Sequence, residues 1–301
     1  MKIIKPKKLQ QGDTIGFLAI SGAIKDQEGM LYAKKILEDK GYKIKISDTC
    51  FSQKDYLCAG DEERANALND FFADDEIKAI ICVRGGYGAI RILDKLDYEL
   101  IKKHPKIFTG FSDISAILWQ LYRKCGLVTF HGAHAISTFK EDGMNQKSFW
   151  ENMIGDLTSI KTENHITYND GVAKGRFIGG NLCTIATLCG SDFFVNDDFI
   201  LLLEDVDEPA YTIDRMFTQL CNTKVFLKHL KGIALGEFTN SDNREYFDHF
   251  WKETAKKLNI PVCGDFKISH DDNHIVTPYG INVEFDATNG TIKFLENSFS
   301  D

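Results

Sequence analysis

The hydrophobic and polar positions of the first half alternate between two patterns. Gly12-Asp13-Thr14-Ile15-Gly16-Phe17-Leu18-Ala19-Ile20-Ser21 reads as a buried strand that ends in a small-residue turn. Met30, Ala33, Ile36 and Leu37 recur at helical spacing, which predicts a helix from about Gln27 to Lys40 with Gly41 as its stop. Tyr42, Ile44 and Ile46 alternate as a second strand. A helix over Asp61 to Phe72 follows, with Ala65, Leu68, Phe71 and Phe72 on its apolar side, and leads into a strand over Ile77 to Val83. From Ile80 to Ala116 one layout occurs twice: apolar strand, tight turn, amphipathic helix. Ile80 to Val83 runs into Arg84-Gly85-Gly86-Tyr87-Gly88, and Ile107 to Thr109 into Gly110-Phe111-Ser112-Asp113. A helix over Asp113 to Lys124 and a strand over Leu127 to Phe130 complete the series. Right-handed crossovers make this rhythm a parallel sheet with helices on both faces, and both turns then share one rim.

Between about Ser137 and Asn169 the periodicity fades and polar residues dominate, which places a linker over residues 138–169 between an N-terminal α/β domain (1–137) and a C-terminal domain (170–301). Gly175-Arg176-Phe177-Ile178-Gly179-Gly180-Asn181-Leu182 is a glycine-rich entry to a helix. Phe199 to Leu203 is a continuous apolar strand that delivers Glu204 at its end. Helices are predicted over Tyr211 to Leu220 and Glu245 to Leu258, a strand over Gly232 to Leu235, and a hairpin about Asn289-Gly290. The expected second domain is mixed α+β with antiparallel pairing, and the expected active site is the cleft between the domains.

Composition changes this picture little. The 301 residues are 43% hydrophobic and 27% charged, ordinary for a globular protein of two domains. A net charge of -8 and a pI of about 5.5 argue against a nucleic acid or anionic membrane partner, since either needs a basic face. The basic opening Met1 to Lys8 lacks the apolar core of a signal peptide, and no run is long enough to cross a bilayer. Eight scattered cysteines with no CxxC pair predict reduced core thiols in a cytoplasmic protein and no structural zinc.

Candidate chemistry gathers on the predicted rim. A serine at a strand-to-helix turn is held outward beside the first free N–H groups of the helix, which makes Ser112 a candidate nucleophile. The bland reading is a turn or N-cap serine, and Ile114 breaks the G-x-S-x-G pattern. The Arg84 to Gly88 loop departs from G-x-G-x-x-G, so a dinucleotide site is a poor reading; its glycines suit an oxyanion donor instead. An activated serine needs a base and an orienting acid. His131 and His134 follow a strand on the rim, and His270 and His274 lie in a polar loop able to reach a cleft; the residues alone leave the base open among them. Glu204 ends a buried strand, where a carboxylate is costly unless paired; it either orients the base, caps the next element or pairs with Arg215.

In order along the chain, Gly12-Asp13-Thr14-Ile15, Ala59-Gly60-Asp61-Glu62-Glu63-Arg64, Arg84-Gly85-Gly86-Tyr87-Gly88, Gly110-Phe111-Ser112-Asp113, His131-Gly132, Gly179-Gly180-Asn181-Leu182, Leu203-Glu204-Asp205-Val206 and Ile213-Asp214-Arg215 resemble the LD-carboxypeptidase family of serine peptidases. That family includes murein tetrapeptide carboxypeptidases and microcin C immunity peptidases. The resemblance implies Ser112 as nucleophile, Glu204 as orienting acid and His270 as base, with the backbone N–H groups of Asp113 and Gly86 as oxyanion donors. The chain departs from it at Ser269, where the family has Gly, and at Thr277-Pro278-Tyr279-Gly280, where it has Leu-Pro-x-Gly; His274 is the competitor for the base.

The implied activity is removal of a terminal D-alanine from a muropeptide during wall recycling in the cytoplasm, by a homodimer that needs no cofactor and no metal. Arg84 and Arg176 are the candidate holders of a substrate carboxylate, with Arg215 as a further candidate. The alternatives are a microcin-type peptidase acting on peptidyl or aminoacyl nucleotides, for which Trp150 and Trp251 are not obviously placed as an aromatic platform, and a non-catalytic module that binds a small ligand.

Overall fold

The computed structural model describes residues 1–140, 144–153, 157–193, 195–271 and 274–300. Its strands are β1 (Thr14–Leu18), β2 (Lys43–Ile46), β3 (Ile77–Cys82), β4 (Ile107–Gly110), β5 (Thr129–His131), β6 (Ser159–Lys161), β7 (Ile166–Asn169), β8 (Val172–Asn181), β9 (Phe199–Val206), β10 (Leu230–Thr239), β11 (Val262–Gly264), β12 (Thr277–Tyr279), β13 (Asn282–Asp286) and β14 (Thr291–Phe294). Its α-helices are α1 (Gln27–Asp39), α2 (Asp61–Ala73), α3 (Tyr98–Lys103), α4 (Ser115–Gln120), α5 (Ala135–Thr138), α6 (Met144–Met153), α7 (Leu182–Thr187), α8 (Ala210–Cys221), α9 (Lys224–His229) and α10 (Arg244–Leu258). None is long and apolar enough to cross a membrane among the described residues.

The first sheet has six strands in the order β12-β5-β4-β3-β1-β2. Neighbours from β5 to β2 run parallel. β3 and β4 are buried at nearly every position, as a parallel sheet covered on both faces requires. The carboxyl ends of β1, β3, β4 and β5 therefore open onto one rim. The helix predicted over Asp113 to Lys124 is three pieces in the structure: a 3-10 turn at Ser112–Ile114, α4, and a wider π turn over Leu121–Cys125.

The second sheet has eight strands in the order β6-β14-β13-β8-β9-β10-β11-β7. Antiparallel pairing holds at its flanks, but the central run β8-β9-β10-β11 is parallel, which corrects the expected pairing. The reason lies in the connections. Helices α7, α8 with α9, and α10 intervene between successive strands, and a helical crossover returns the chain in the same direction. The stretch 138–169, expected as a linker, carries α6 and both edge strands β6 and β7. Edge strands this short bury few positions, so they leave little alternation to read.

β12 crosses between the halves. It adds antiparallel to β5, with Thr277 opposite His131, before the chain enters β13 of the other sheet. Pro278, which lacks an N–H, sits on this edge strand as the rule for sheet prolines requires. A second seam joins the start of α4 to the end of β8, where the Asn181 N–H donates to Ser115 Oγ at 3.1 Å. Gly180, at φ +130°, permits the approach: a Cβ there would lie 2.4 Å from Ser115 Oγ.

Candidate active site

The turn after β4 is built around Phe111 and Ser112. Ser112 has φ +58°, a left-handed conformation that costs a non-glycine residue about 1–2 kcal/mol. The Ile114 N–H closes the turn on the Phe111 carbonyl at 3.1 Å. Strain of this kind, at a strand-to-helix turn, is the local signature of a presented side chain. The neighbouring glycine loop approaches so closely that a Cβ on Gly85 would come within 3.0 Å of Ser112 Cβ and 3.2 Å of His134 Cε1. Gly86 follows at φ +125°.

His134 is committed to holding this turn. Its Nε2 accepts the Phe111 N–H at 3.1 Å, so the ring is neutral with its proton on Nδ1. Burial pushes its pKa well below the ordinary value. Its ring also stacks on Phe111 with centroids 4.1 Å apart.

Glu204 arrives from the other sheet. It stands opposite Asn181 in the β8–β9 ladder, is fully buried, and places Oε2 2.6 Å from His270 Nδ1. Its second oxygen, Oε1, lies 3.7 Å from Nε2 of His131, also fully buried, on β5. Burial works to raise the Glu204 pKa, but the charge and hydrogen bond of His270, with the nearby His131 ring, overcome it and hold the group at about 2. Burial works to lower the pKa of His270; the Glu204 charge and hydrogen bond reverse this and raise it. Asp205, next to the pair, is pushed up to about 6 by burial and by the Glu204 charge, although it accepts from Asn181 and from the Cys183 N–H.

His274 has a different task. Its Nδ1 accepts the Ser269 N–H at 2.8 Å, which fixes the loop that carries His270, and burial drops its pKa to about 3. Of the histidines left open by sequence, His270 alone has a ring nitrogen within hydrogen-bond distance of Glu204 among the described residues.

The Phe111 ring is the common neighbour. Its centroid lies 5.0 Å from that of His270 and 5.4 Å from that of His274. The structure thus brings His270 and Glu204 into direct contact and sets His270 against the residue that precedes Ser112. His270 Nε2 is buried without a hydrogen-bond partner among the described residues, so the Ser112 hydroxyl does not donate to it here. Such bonds are often long before substrate binds.

Of the arginines, Arg84 stays on the rim, where Nη1 donates to the Ala23 carbonyl at 3.0 Å. Arg176 does not. It pairs with Glu296 and donates to the Gly280 carbonyl, five residues and about 16 Å along β8 from Asn181. Its guanidinium is thus committed to Glu296 and Gly280. Arg215 is exposed, with its guanidinium over the Tyr211 ring. The sequence reading missed Phe111 as the packing centre, and it held His131 only as a candidate base and not as a neighbour of Glu204. Adjacency to Ser112 was the available signal for Phe111, and the His131-Gly132 pair at a strand end was the signal for His131.

Two α/β domains, the second lending β12 to the first sheet, with a strained serine turn whose Phe111 packs against the His270 of a Glu–His pair, define the framework of a hydrolase site. Profiles of the LD-carboxypeptidase N-terminal domain and C-terminal domain match residues 15–132 and 174–285, and the chain belongs to the LD-carboxypeptidase family. It is 31% identical over 298 residues to the Bacillus subtilis protein named "Probable murein peptide carboxypeptidase", covering 95% of this chain and 93% of that one. It is 30% identical to the Escherichia coli microcin self-immunity protein MccF, covering 97% and 96%. Among solved structures, MccF in complex with glutamyl sulfamoyl guanosine superposes with a TM-score of 0.89 at 25% identity over 98% of this chain and 99% of that one. A muramoyltetrapeptide carboxypeptidase from Oxalobacter formigenes gives 0.83 at 26% identity over 93% and 97%.

Proposed function

We propose that this chain is a serine LD-carboxypeptidase that releases the terminal D-alanine of a murein tetrapeptide. Ser112, from the first half, is the nucleophile; His270 and Glu204, from the second, are its base and orienting acid. The single observation that carries the reading is the part-buried 2.6 Å Glu204–His270 bond, with the opposite ring nitrogen unpartnered among the described residues and the ring against Phe111.

In the first step Ser112 Oγ attacks the amide carbonyl carbon as its proton passes to His270 Nε2. Glu204 steadies the imidazolium through Nδ1. The oxyanion is received by the backbone N–H groups of Asp113 and Gly86. Collapse breaks the C–N bond, and His270 returns its proton to the departing amine. Water, deprotonated by the same imidazole, then frees the acyl group from Ser112. Arg84, on the rim, is the remaining candidate to hold the free carboxylate of the substrate. The reading places the enzyme in the cytoplasm as a homodimer, on the strength of the family resemblance.

A second reading, cleavage of aminoacyl nucleotides, is favoured by the 0.89 TM-score to MccF. Against a tryptophan platform for the base, Trp251 is buried among Phe217, Phe247 and Phe250, Trp119 donates to the Phe193 carbonyl, and Trp150 packs on Tyr42. The test is hydrolysis of a diaminopimelate-containing tetrapeptide and of an aminoacyl sulfamoyl adenylate by the wild type and by Ser112→Ala. Faster release of D-alanine, lost in the variant, supports the first reading. Preference for the adenylate overturns its substrate, and undiminished turnover by Ser112→Ala overturns the nucleophile.

A further inference from the structure

The carboxylate of Asp113 plays no part in the steps above, yet it is buried and sits where three strand ends meet. β1 runs out to Ser21, β3 into the glycine loop, and β4 into Ser112-Asp113. Asp113 Oδ2 accepts the Ala89 N–H at 2.8 Å and lies 2.5 Å from Ser21 Oγ. The Ser21 hydroxyl is also 3.2 Å from the Tyr87 carbonyl oxygen, so its one proton has two acceptors and the shorter contact has the stronger claim.

From behind, the fully buried guanidinium of Arg64 grips the same loop. Its Nη1 donates to the Ile20 carbonyl at 2.6 Å and to the Gly88 carbonyl at 2.9 Å, while Nη2 pairs with Asp61 at 2.7 Å. The loop is clamped between a cation bound to its carbonyl and a carboxylate bound to its N–H.

We infer that the Asp113 side chain, latched to Ser21 and Ala89, is the positioning group that sets the spacing between the oxyanion donors on the glycine loop and those on the serine turn. The inference rests on the reading of Ser112 as nucleophile. Its physical basis is that both donors are backbone groups on separate loops, so their separation is fixed only by what ties those loops together. One carboxylate does so, and it belongs to the residue whose own N–H is a donor.

A cap that only stabilises the turn changes melting temperature alone, whereas a positioning group changes the chemical step in molecules that remain folded. The variants are Asp113→Asn, which keeps the shape, and Ser21→Ala, which removes one hydroxyl, with Ser21→Thr as the conservative rescue. Measured are kcat, KM, Tm and the rate of inactivation by a serine-directed phosphonate, whose phosphoryl oxygen needs the same donors. The expected result for Asp113→Asn is a fall in kcat of about 10- to 100-fold with KM unchanged and a parallel fall in phosphonate labelling. Ser21→Ala moves the same quantities in the same direction by a smaller factor, and Ser21→Thr restores them. Wild-type kcat and labelling in both variants, with only Tm lowered, overturns the inference. If Asp113→Asn does not fold, the Ser21 pair decides by the same criterion. Full activity in Ser112→Ala instead removes the nucleophile reading, a different and separately visible failure.

Discussion

Glu204 and His270 stand 66 residues apart in the chain, and their side chains meet at 2.6 Å. The carboxylate is fixed by a strand buried at nearly every position, the imidazole by a loop whose backbone is held through His274. The acid is rigid, and the base is aimed by its neighbours.

The pair sets the pH dependence. A base works deprotonated, and the His270 pKa is raised above the ordinary histidine value of 6.5, so the acidic limb of kcat/KM is expected above that pH. Glu204→Gln removes the charge that raises it. The limb then moves to lower pH while kcat falls about 10³- to 10⁴-fold. Glu204 makes the direct bond to His270, and the other titratable groups around the pair are His131, His134, His274, Asp205 and Asp271. A pH–rate profile of both proteins checks the direction, and a limb that stays in place refutes it.

His270 and His274 separate by the kind of damage they cause. His270→Ala is expected to lower kcat by about 10⁴-fold or more and, because it leaves the buried Glu204 carboxylate without its hydrogen-bond partner, to lower the melting temperature as well. His274→Ala strands the buried Ser269 N–H and opens a cavity, so it is expected to cost about 2–4 kcal/mol of stability. Urea unfolding beside steady-state kinetics distinguishes them.

The two arginines divide likewise. Arg176→Ala breaks the pair with Glu296 far from the serine turn, so KM is expected to hold while stability drops by about 1 kcal/mol. Arg84→Ala is expected to raise KM for a substrate with a free carboxylate and to leave an amidated analogue unaffected.

Gly180→Ala tests the seam between the halves. Its Cβ would collide with Ser115 Oγ, and φ +130° strains any L side chain, so a loss of about 3 kcal/mol or more is expected. Thermal unfolding measures it.

Much of the first half was legible because its elements repeat one period. The helix expected over Gln27 to Lys40 is α1 at Gln27–Asp39, and the strand expected over Ile77 to Val83 is β3 at Ile77–Cys82. Ser112 was visible because its turn lies between two strongly patterned elements. What escaped depends on distant partners. β6, β7 and β12 are three or four residues long, and nothing local says that they belong to a sheet. The pairing of Glu204 with His270 was implied by the family resemblance and not by local pattern, and the commitment of Arg176 to Glu296 is a product of register, which no single segment carries.

The passage of Thr277–Tyr279 into the front sheet makes the molecule a splice rather than two beads on a string. A gene cut ahead of residue 277 would strip β5 of its neighbour and leave a naked edge open to aggregation. Expressing the halves separately should therefore yield insoluble pieces, and evolution could exchange one half for a foreign counterpart only by carrying that short insert along.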